Sequence, residues 1–207
     1  MKEWGYNMVF EYNKNGIFKG KVVVNIDKFI KTINPTRIYL DIDGVIWHSC
    51  QAVCDVMNKR FGTNVNGNEI LSWNFKELGL DLTDEDIDCI FGDHYFFKCV
   101  NWINGAFDFV RKYNDKITIV TKGTHWNLTR KLDIFNELNL NIVMCGLPLN
   151  NSKGDINMQG GLLIDDCTKN LEESNATYKV QFLEYDDDKN DIREWTKDWN
   201  GLKMYKW

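Results

Sequence analysis

Asp41-Ile-Asp43-Gly44 follows directly on the apolar run Arg37-Ile-Tyr-Leu40, and its residue types can do chemistry. Residues two apart on an extended chain point to the same side, so Asp41 and Asp43 bring two carboxylates together. Such a pair repels unless a proton or a cation lies between its members. A divalent metal meets that need. Gly44, lacking a side chain, lets the backbone turn sharply and lets a ligand approach closely. Asp-x-Asp-Gly also occurs in turns and in calcium loops. With Gly44 as the glycine of an EF-hand, the first ligand would be Tyr39 and the bidentate acid Cys50; neither supplies the carboxylate that loop requires, which excludes it.

Other stretches end in the same fashion. Ile117-Thr-Ile-Val-Thr-Lys-Gly123 carries Thr121, whose hydroxyl, with the backbone amides of Lys122 and Gly123 after it, can hold a phosphate oxygen. Gly161-Leu-Leu-Ile-Asp-Asp166 ends on Asp165 and Asp166, hard oxygen ligands suited to magnesium. Between them, Ser152-Lys153-Gly154 puts a cation in a loop. A lysine in a loop is ordinarily solvated, but here it is the point charge that would offset phosphate.

The elements that must position these groups are legible from periodicity. The run Arg37–Ile46, with Asp41 and Asp43 at its carboxyl end, and those at Ile117–Thr121, Asn141–Met144, Leu162–Asp165 and Lys179–Leu183 predict strands, and Asn104–Tyr113 and Trp126–Leu138 predict helices between them. The alternation predicts an α/β fold, a Rossmann-like doubly wound parallel sheet, with ligands beyond the carboxyl ends of its strands. The closing segment, with Ile192, Trp195, Trp199 and Leu202, has helical spacing and predicts a helix packed on that sheet. Met8–Val24 predicts two strands around an Asn15-Gly16 turn, which extend a sheet edge or contact a second copy of the chain as a homo-oligomer. A helix capped by Asn25, with Ile26, Phe29, Ile30 and Ile33 on one face, ends before Pro35. The chain thus divides into an N-terminal hairpin and helix extension (1–35), an α/β core (36–46 and 103–207) and a small helical cap inserted after the first core strand (47–102).

Within the insertion, Val53, Val56 and Met57, then Ile70 and Leu71, then Ile87, Ile90 and Phe91 form apolar stripes. A cap in this position hangs over the strand ends and can exclude water. Its aromatics include Trp73, Phe75, Phe91, Tyr95, Phe96 and Phe97. They outnumber what a small helical unit needs for its own packing, so some can line a pocket for a flat ring.

Composition narrows the partners. A chain of 207 residues with net charge −5 offers no global attraction to nucleic acid polymers or anionic membranes. A small substrate is the expected partner. No apolar run reaches membrane-span length, and Met1–Lys14 lacks the apolar core of a secretory signal; the expected location is cytoplasmic. The six cysteines form no C-x-x-C pair, so reduced, packed thiols are expected, Cys50 and Cys54 among them.

From Ile38 to about Leu202 the sequence resembles the haloacid dehalogenase-like phosphatase superfamily. The first motif matches Asp41-Ile-Asp-Gly-Val45, the second Thr121 and the fourth Leu162-Leu-Ile-Asp-Asp166. The third-motif lysine matches Lys153 or its rival Lys131, on the helix after Thr121. Tyr95-Phe-Phe-Lys-Cys-Val-Asn-Trp-Ile-Asn-Gly-Ala106, Gly161–Asp166 and Arg193-Glu-Trp-Thr-Lys-Asp-Trp199 look like the 5'(3')-deoxyribonucleotidase branch. That resemblance implies magnesium-dependent hydrolysis of (deoxy)nucleoside monophosphates. Asp41 would be the nucleophile and Asp43 the general acid and base. Asp41, the backbone carbonyl of Asp43, and Asp165 or Asp166 would form the metal shell, with Trp73, Phe75 and Phe91 against the base. Lys122, where the branch tends to have a small residue, Ser49, in place of an aromatic, and the N-terminal hairpin depart from the pattern. The alternatives are a phosphatase of the same superfamily acting on another small metabolite, and a non-catalytic nucleotide-binding protein.

Overall fold

The computed structural model describes residues 8–12, 18–184 and 193–207. Its strands are β1 (Met8–Tyr12), β2 (Phe18–Val23), β3 (Ile38–Leu40), β4 (Ile117–Lys122), β5 (Val143–Leu147), β6 (Leu162–Asp165), β7 (Tyr178–Phe182) and β8 (Leu202–Met204). Among the described residues they form one sheet in the order β1-β2-β8-β7-β6-β3-β4-β5. β1 runs antiparallel to β2, and every other neighbouring pair is parallel, giving seven parallel strands. The short strand β3 lies between β4 and β6, with Ile38 opposite both Ile117 and Leu162. The chain winds outward from β3 in both directions, so the carboxyl end of β3 is the switch point where a crevice opens. Ile38, Leu40, Leu162, Leu163 and Ile164 are wholly buried, as strands covered on both faces must be.

Helices α1 (Ile26–Ile33), α5 (Ala106–Lys112), α6 (His125–Glu137) and α7 (Thr168–Glu173) belong to the sheet layers, and α2 (Ser49–Phe61), α3 (Asp84–Phe91) and α4 (His94–Cys99) to the insertion. The start of α1 is held as its sequence predicts: the Asn25 side chain accepts from the Lys28 N–H at 2.9 Å, and Ile26, Phe29, Ile30 and Ile33 are buried. The hairpin strands add to the sheet edge through β2 and β8; the Asn15-Gly16 turn lies outside the described residues. Around the sheet centre, Trp47 stacks on Phe135 at 6.0 Å between ring centroids. The insertion has its own apolar cluster, including Val53, Cys54, Val56, Met57, Ile70, Phe75, Ile87 and Phe96. Cys50 and Cys54 are free and buried. Burial pushes both thiols up, that of Cys54 to about 12, so they serve as packing.

Two sequence expectations are corrected. The closing segment is not a helix: its described part makes turns, and Leu202–Met204 is a strand inserted between β2 and β7. Asp198 takes a left-handed conformation, φ 66°, which interrupts any helix there. The Trp199 indole folds back over Gly201 and donates from Nε1 to the Leu202 carbonyl at 2.9 Å. The apolar spacing therefore reflects separate roles for Trp195, Trp199 and Leu202, and Ile192 lies outside the described residues. The strand expected at Asn141–Met144 instead runs from Val143 to Leu147, where Gly146 pairs with Thr121 and Leu147 with Lys122. Ladder pairing with β4 carries it through a glycine that local propensity disfavours.

Candidate active site

Asp41 follows β3, and its N–H still donates to the Ile164 carbonyl at 3.1 Å. Beyond it the chain closes on itself, with the N–H groups of Val45, Ile46 and Trp47 all directed at the Ile42 carbonyl. Gly44, φ 70°, supplies the left-handed residue of that turn. The geometry leaves Asp41 only 7% exposed, at the floor of the crevice. The Lys153 ammonium stands 2.9 Å from Asp41 Oδ1 and 2.6 Å from Asp165 Oδ2. Its approach to Asp41 is an ion pair without hydrogen-bond geometry, and Asp41 Oδ1 is left buried with no hydrogen-bond partner.

Asp165 is the last residue of β6, and its Oδ1 accepts from the Cys167 N–H at 2.9 Å and from Asn170 Nδ2 at 3.1 Å. Asp166 Oδ2 accepts from Trp195 Nε1 at 2.8 Å and lies where a Cβ on Gly44 would come within 2.6 Å of it. Asp41, Asp165 and Asp166 each present one oxygen within 4.8 Å of the others. Burial pushes the Asp165 carboxyl up; burial, then Asp165 and Asp41, push Asp166 well up. Burial alone would lower Lys153, but Asp165 and then Asp41 outweigh it and hold the ammonium above its ordinary value. Three hard oxygen donors whose charge is only partly offset by one lysine fit a divalent cation.

Asp43 stands apart from that trio. Its Oδ1 accepts from Ser49 Oγ at 2.7 Å and its Oδ2 from Lys131 Nζ at 2.5 Å. Its side chain is not among the three that share a set of oxygens. Lys131 also donates to Thr121 Oγ1 at 3.1 Å. Asn127, Lys131 and Phe135 recur every fourth residue along the buried face of α6, which aims the lysine at the ends of β3 and β4. Both rival lysines therefore lie in the site, on different carboxylates.

A cavity of about 570 Å³ opens over these groups. Asp41, Asp43, Thr121, Lys122, Gly123, Lys153, Asp166, Trp73, Phe75 and Phe91 line it; Asp165 and Lys131 are buried. Phe75, held in a left-handed conformation at φ 52°, meets Phe91 edge-on at 6.4 Å. Phe75 is buried, Phe91 half-buried and Trp73 52% exposed. Asn127 Nδ2 donates to the Phe91 carbonyl at 2.7 Å and so ties the insertion to α6, while a Cβ on Gly123 would collide with Asn127 Oδ1 at 2.4 Å. Sequence reasoning gave no part in the site to Ser49, Asn127, Asn170 or Trp195. The available signals were Ser49, which departs from the branch pattern close after the first acids, and Trp195, which lies in the matched stretch Arg193–Trp199.

Residues 34–199 match the model of the family described as 5' nucleotidase, deoxy (pyrimidine), cytosolic type C protein (NT5C). A comparison with curated protein sequences gives no match. Among solved structures the fold is similar to a protein described as a phosphatase from Clostridium difficile, at 12% identity and a TM-score of 0.52, covering 84% of this chain and 95% of that one. It is also similar to a haloacid dehalogenase-like family hydrolase from Streptococcus pneumoniae, at 11% identity and a TM-score of 0.50, covering 83% and 94%. At these identities the likeness speaks to the fold, and the fold agrees with the doubly wound sheet expected from sequence. No helix among the described residues is long and apolar enough to cross a membrane.

Proposed function

We propose, on the premise that this chain belongs to the cytosolic type C deoxy-pyrimidine 5'-nucleotidase family and is a phosphoric monoester hydrolase of the 5'-nucleotidase type, that it hydrolyses (deoxy)nucleoside monophosphates through a phosphorylated Asp41. The observation that carries this reading is the unequal setting of the two strand-end acids. Asp41 has a buried oxygen without a hydrogen bond, beside Lys153. Asp43 is oriented by Ser49 and Lys131.

In the first step an Asp41 oxygen attacks phosphorus, the bond to the nucleoside oxygen breaks, and Asp43 gives that oxygen a proton. In the second, Asp43 takes a proton from water as the water oxygen attacks the same phosphorus, which releases inorganic phosphate and restores the Asp41 carboxylate. Lys153 lowers the repulsion between Asp41 and an incoming anion, and Thr121 with the amides of Lys122 and Gly123 binds phosphoryl oxygens. Asp41, Asp165 and Asp166, with the Asp43 carbonyl, would hold magnesium, which when bound withdraws charge from those oxygens. Lys131 orients Asp43 and shares its donors with the phosphoryl group. The insertion acts as the cap, with Trp73, Phe75 and Phe91 against the base and Lys122 on the phosphate side of the pocket. The cytosolic type of the family supports a cytoplasmic location, and the outer edge of β1, which has no further strand partner among the described residues, is the edge we propose for self-association.

Phosphate release from nucleoside 5'- and 3'-monophosphates and from sugar phosphates, with magnesium and with chelator, tests the reading. Magnesium-dependent release that favours deoxypyrimidine monophosphates is the expected result. Release from sugar phosphates alone would retain the Asp41 chemistry and remove the nucleotide assignment.

A further inference from the structure

The segment Arg193–Thr196 joins two parts of the molecule. On the sheet side, Trp195 Nε1 donates to Asp166 Oδ2 at 2.8 Å, and the Trp195 carbonyl accepts from the Thr168 N–H at 2.8 Å. The Nε2 of the buried Gln181, near the end of β7, lies within hydrogen-bond distance of the Asp166 carbonyl (2.9 Å), Thr168 Oγ1 (3.1 Å) and the Thr196 carbonyl (3.1 Å), and its two hydrogens are shared among them. The turn that carries Asp166 is thus clipped to this segment by both backbone and side chains. On the insertion side, Arg193 Nη2 donates to the Gly67 carbonyl at 2.9 Å, the Glu194 N–H to the Leu71 carbonyl at 2.9 Å, and the Trp73 N–H to Glu194 Oε2 at 2.9 Å. The Trp195 ring meets Trp73 edge-on, 5.9 Å between centroids and 80° between planes, and both line the cavity.

Asp166 needs such a hold more than Asp165 does. Asp165 already accepts from Lys153, Asn170 and the Cys167 N–H, whereas the side-chain hydrogen bond found for Asp166 is the one from Trp195. Its Oδ2 rests above Gly44 with no room for a side chain beneath it. A carboxylate that must meet a cation from a fixed direction depends on the donor that orients it.

We infer that Trp195 is a positioning residue with two separable roles: its indole N–H orients Asp166 toward Asp41 and Asp165 for the cation, and its ring supports Trp73 as a wall of the substrate pocket. The inference rests on the cation site proposed above.

Calorimetric titration of the metal-free protein with magnesium, on the wild type, Trp195→Phe and Asp166→Asn, tests it, with melting temperatures without metal as a check on folding. Trp195→Phe keeps a ring against Trp73 and removes the donor. Its magnesium affinity should fall about tenfold, its metal-free melting temperature should stay close to the wild-type value, and its KM for the nucleotide at saturating magnesium should change less than about twofold. Trp195→Ala should lose affinity for magnesium to the same extent and raise KM as well. Wild-type affinity in Trp195→Phe would overturn the inference while leaving the cation site intact, because Asp166→Asn would still lose binding. An absence of magnesium binding in the wild type would overturn the cation site itself, and the inference with it.

Discussion

The two walls of the cavity are built in opposite ways. The floor, at the ends of β3, β4 and β6, is charged and closed: Thr121, Lys131, Lys153 and Asp165 are buried, Thr121 accepts from Lys131, and Lys131, Lys153 and Asp165 each have more than one polar contact with the site or its supporting residues. The opposing wall, from the insertion, is apolar and partly open, with Trp73 half-exposed and steadied by one aromatic contact and one backbone hydrogen bond. Preorganised charge serves a reaction whose charge distribution is the same for every phosphomonoester. A loosely supported aromatic wall serves recognition of the organic group, where modest contacts decide between substrates. Damage to the floor should therefore remove catalysis, and damage to the wall should change which substrate is preferred.

The sharpest break in this contrast is Asp41→Asn, nearly isosteric and without a nucleophilic oxygen. Steady-state phosphate release should fall by more than about a thousandfold, with the circular dichroism of the folded protein unchanged. Lys153→Met comes next. It leaves Asp41 and Asp165 buried without their shared cation, and removing one partner of a buried ion pair costs about 3–5 kcal/mol. Urea unfolding should show a loss of that order, partly reversed by magnesium. Gly44→Ala places a methyl group within 2.6 Å of Asp166 Oδ2 and strains a left-handed residue; a roughly hundredfold loss of turnover, with more magnesium needed for half-maximal rate, is expected. Trp73→Ala should be the mildest, raising KM for nucleotides about five- to tenfold while kcat stays within about twofold. A collapse of kcat in Trp73→Ala would erase the division between floor and wall.

How far this arrangement could be read from the sequence depends on the range over which each part is determined. The strands β3, β4 and β6 are short, almost wholly buried and mostly apolar, so both their existence and the acids or hydroxyl at their carboxyl ends are local facts. The N-terminal helix was equally local, since Asn25 and an apolar face define it. The partners of the acids were not local. Ser49 reaches Asp43 only because the chain between them folds into a tight turn, and Trp195 reaches Asp166 from a separate segment. The placement of Lys131 and Lys153 could not be read from motif order: the rotation of α6 sends one to Asp43 and the Ser152–Asp155 turn sends the other to Asp41 and Asp165. The misread closing segment shows the same limit, for the helical spacing of Trp195, Trp199 and Leu202 came from three unrelated tertiary roles.

The most direct test of the account is to find where the phosphoryl group goes. Wild-type protein would be mixed with a deoxypyrimidine monophosphate and magnesium, quenched in acid during turnover, digested and examined by mass spectrometry. A phosphoryl group on Asp41, absent from Asp41→Asn and lost when the acid-quenched sample is treated with hydroxylamine, is the predicted result. A phosphoryl group on Asp43, or full turnover in Asp41→Asn, would contradict the division of labour on which the account depends.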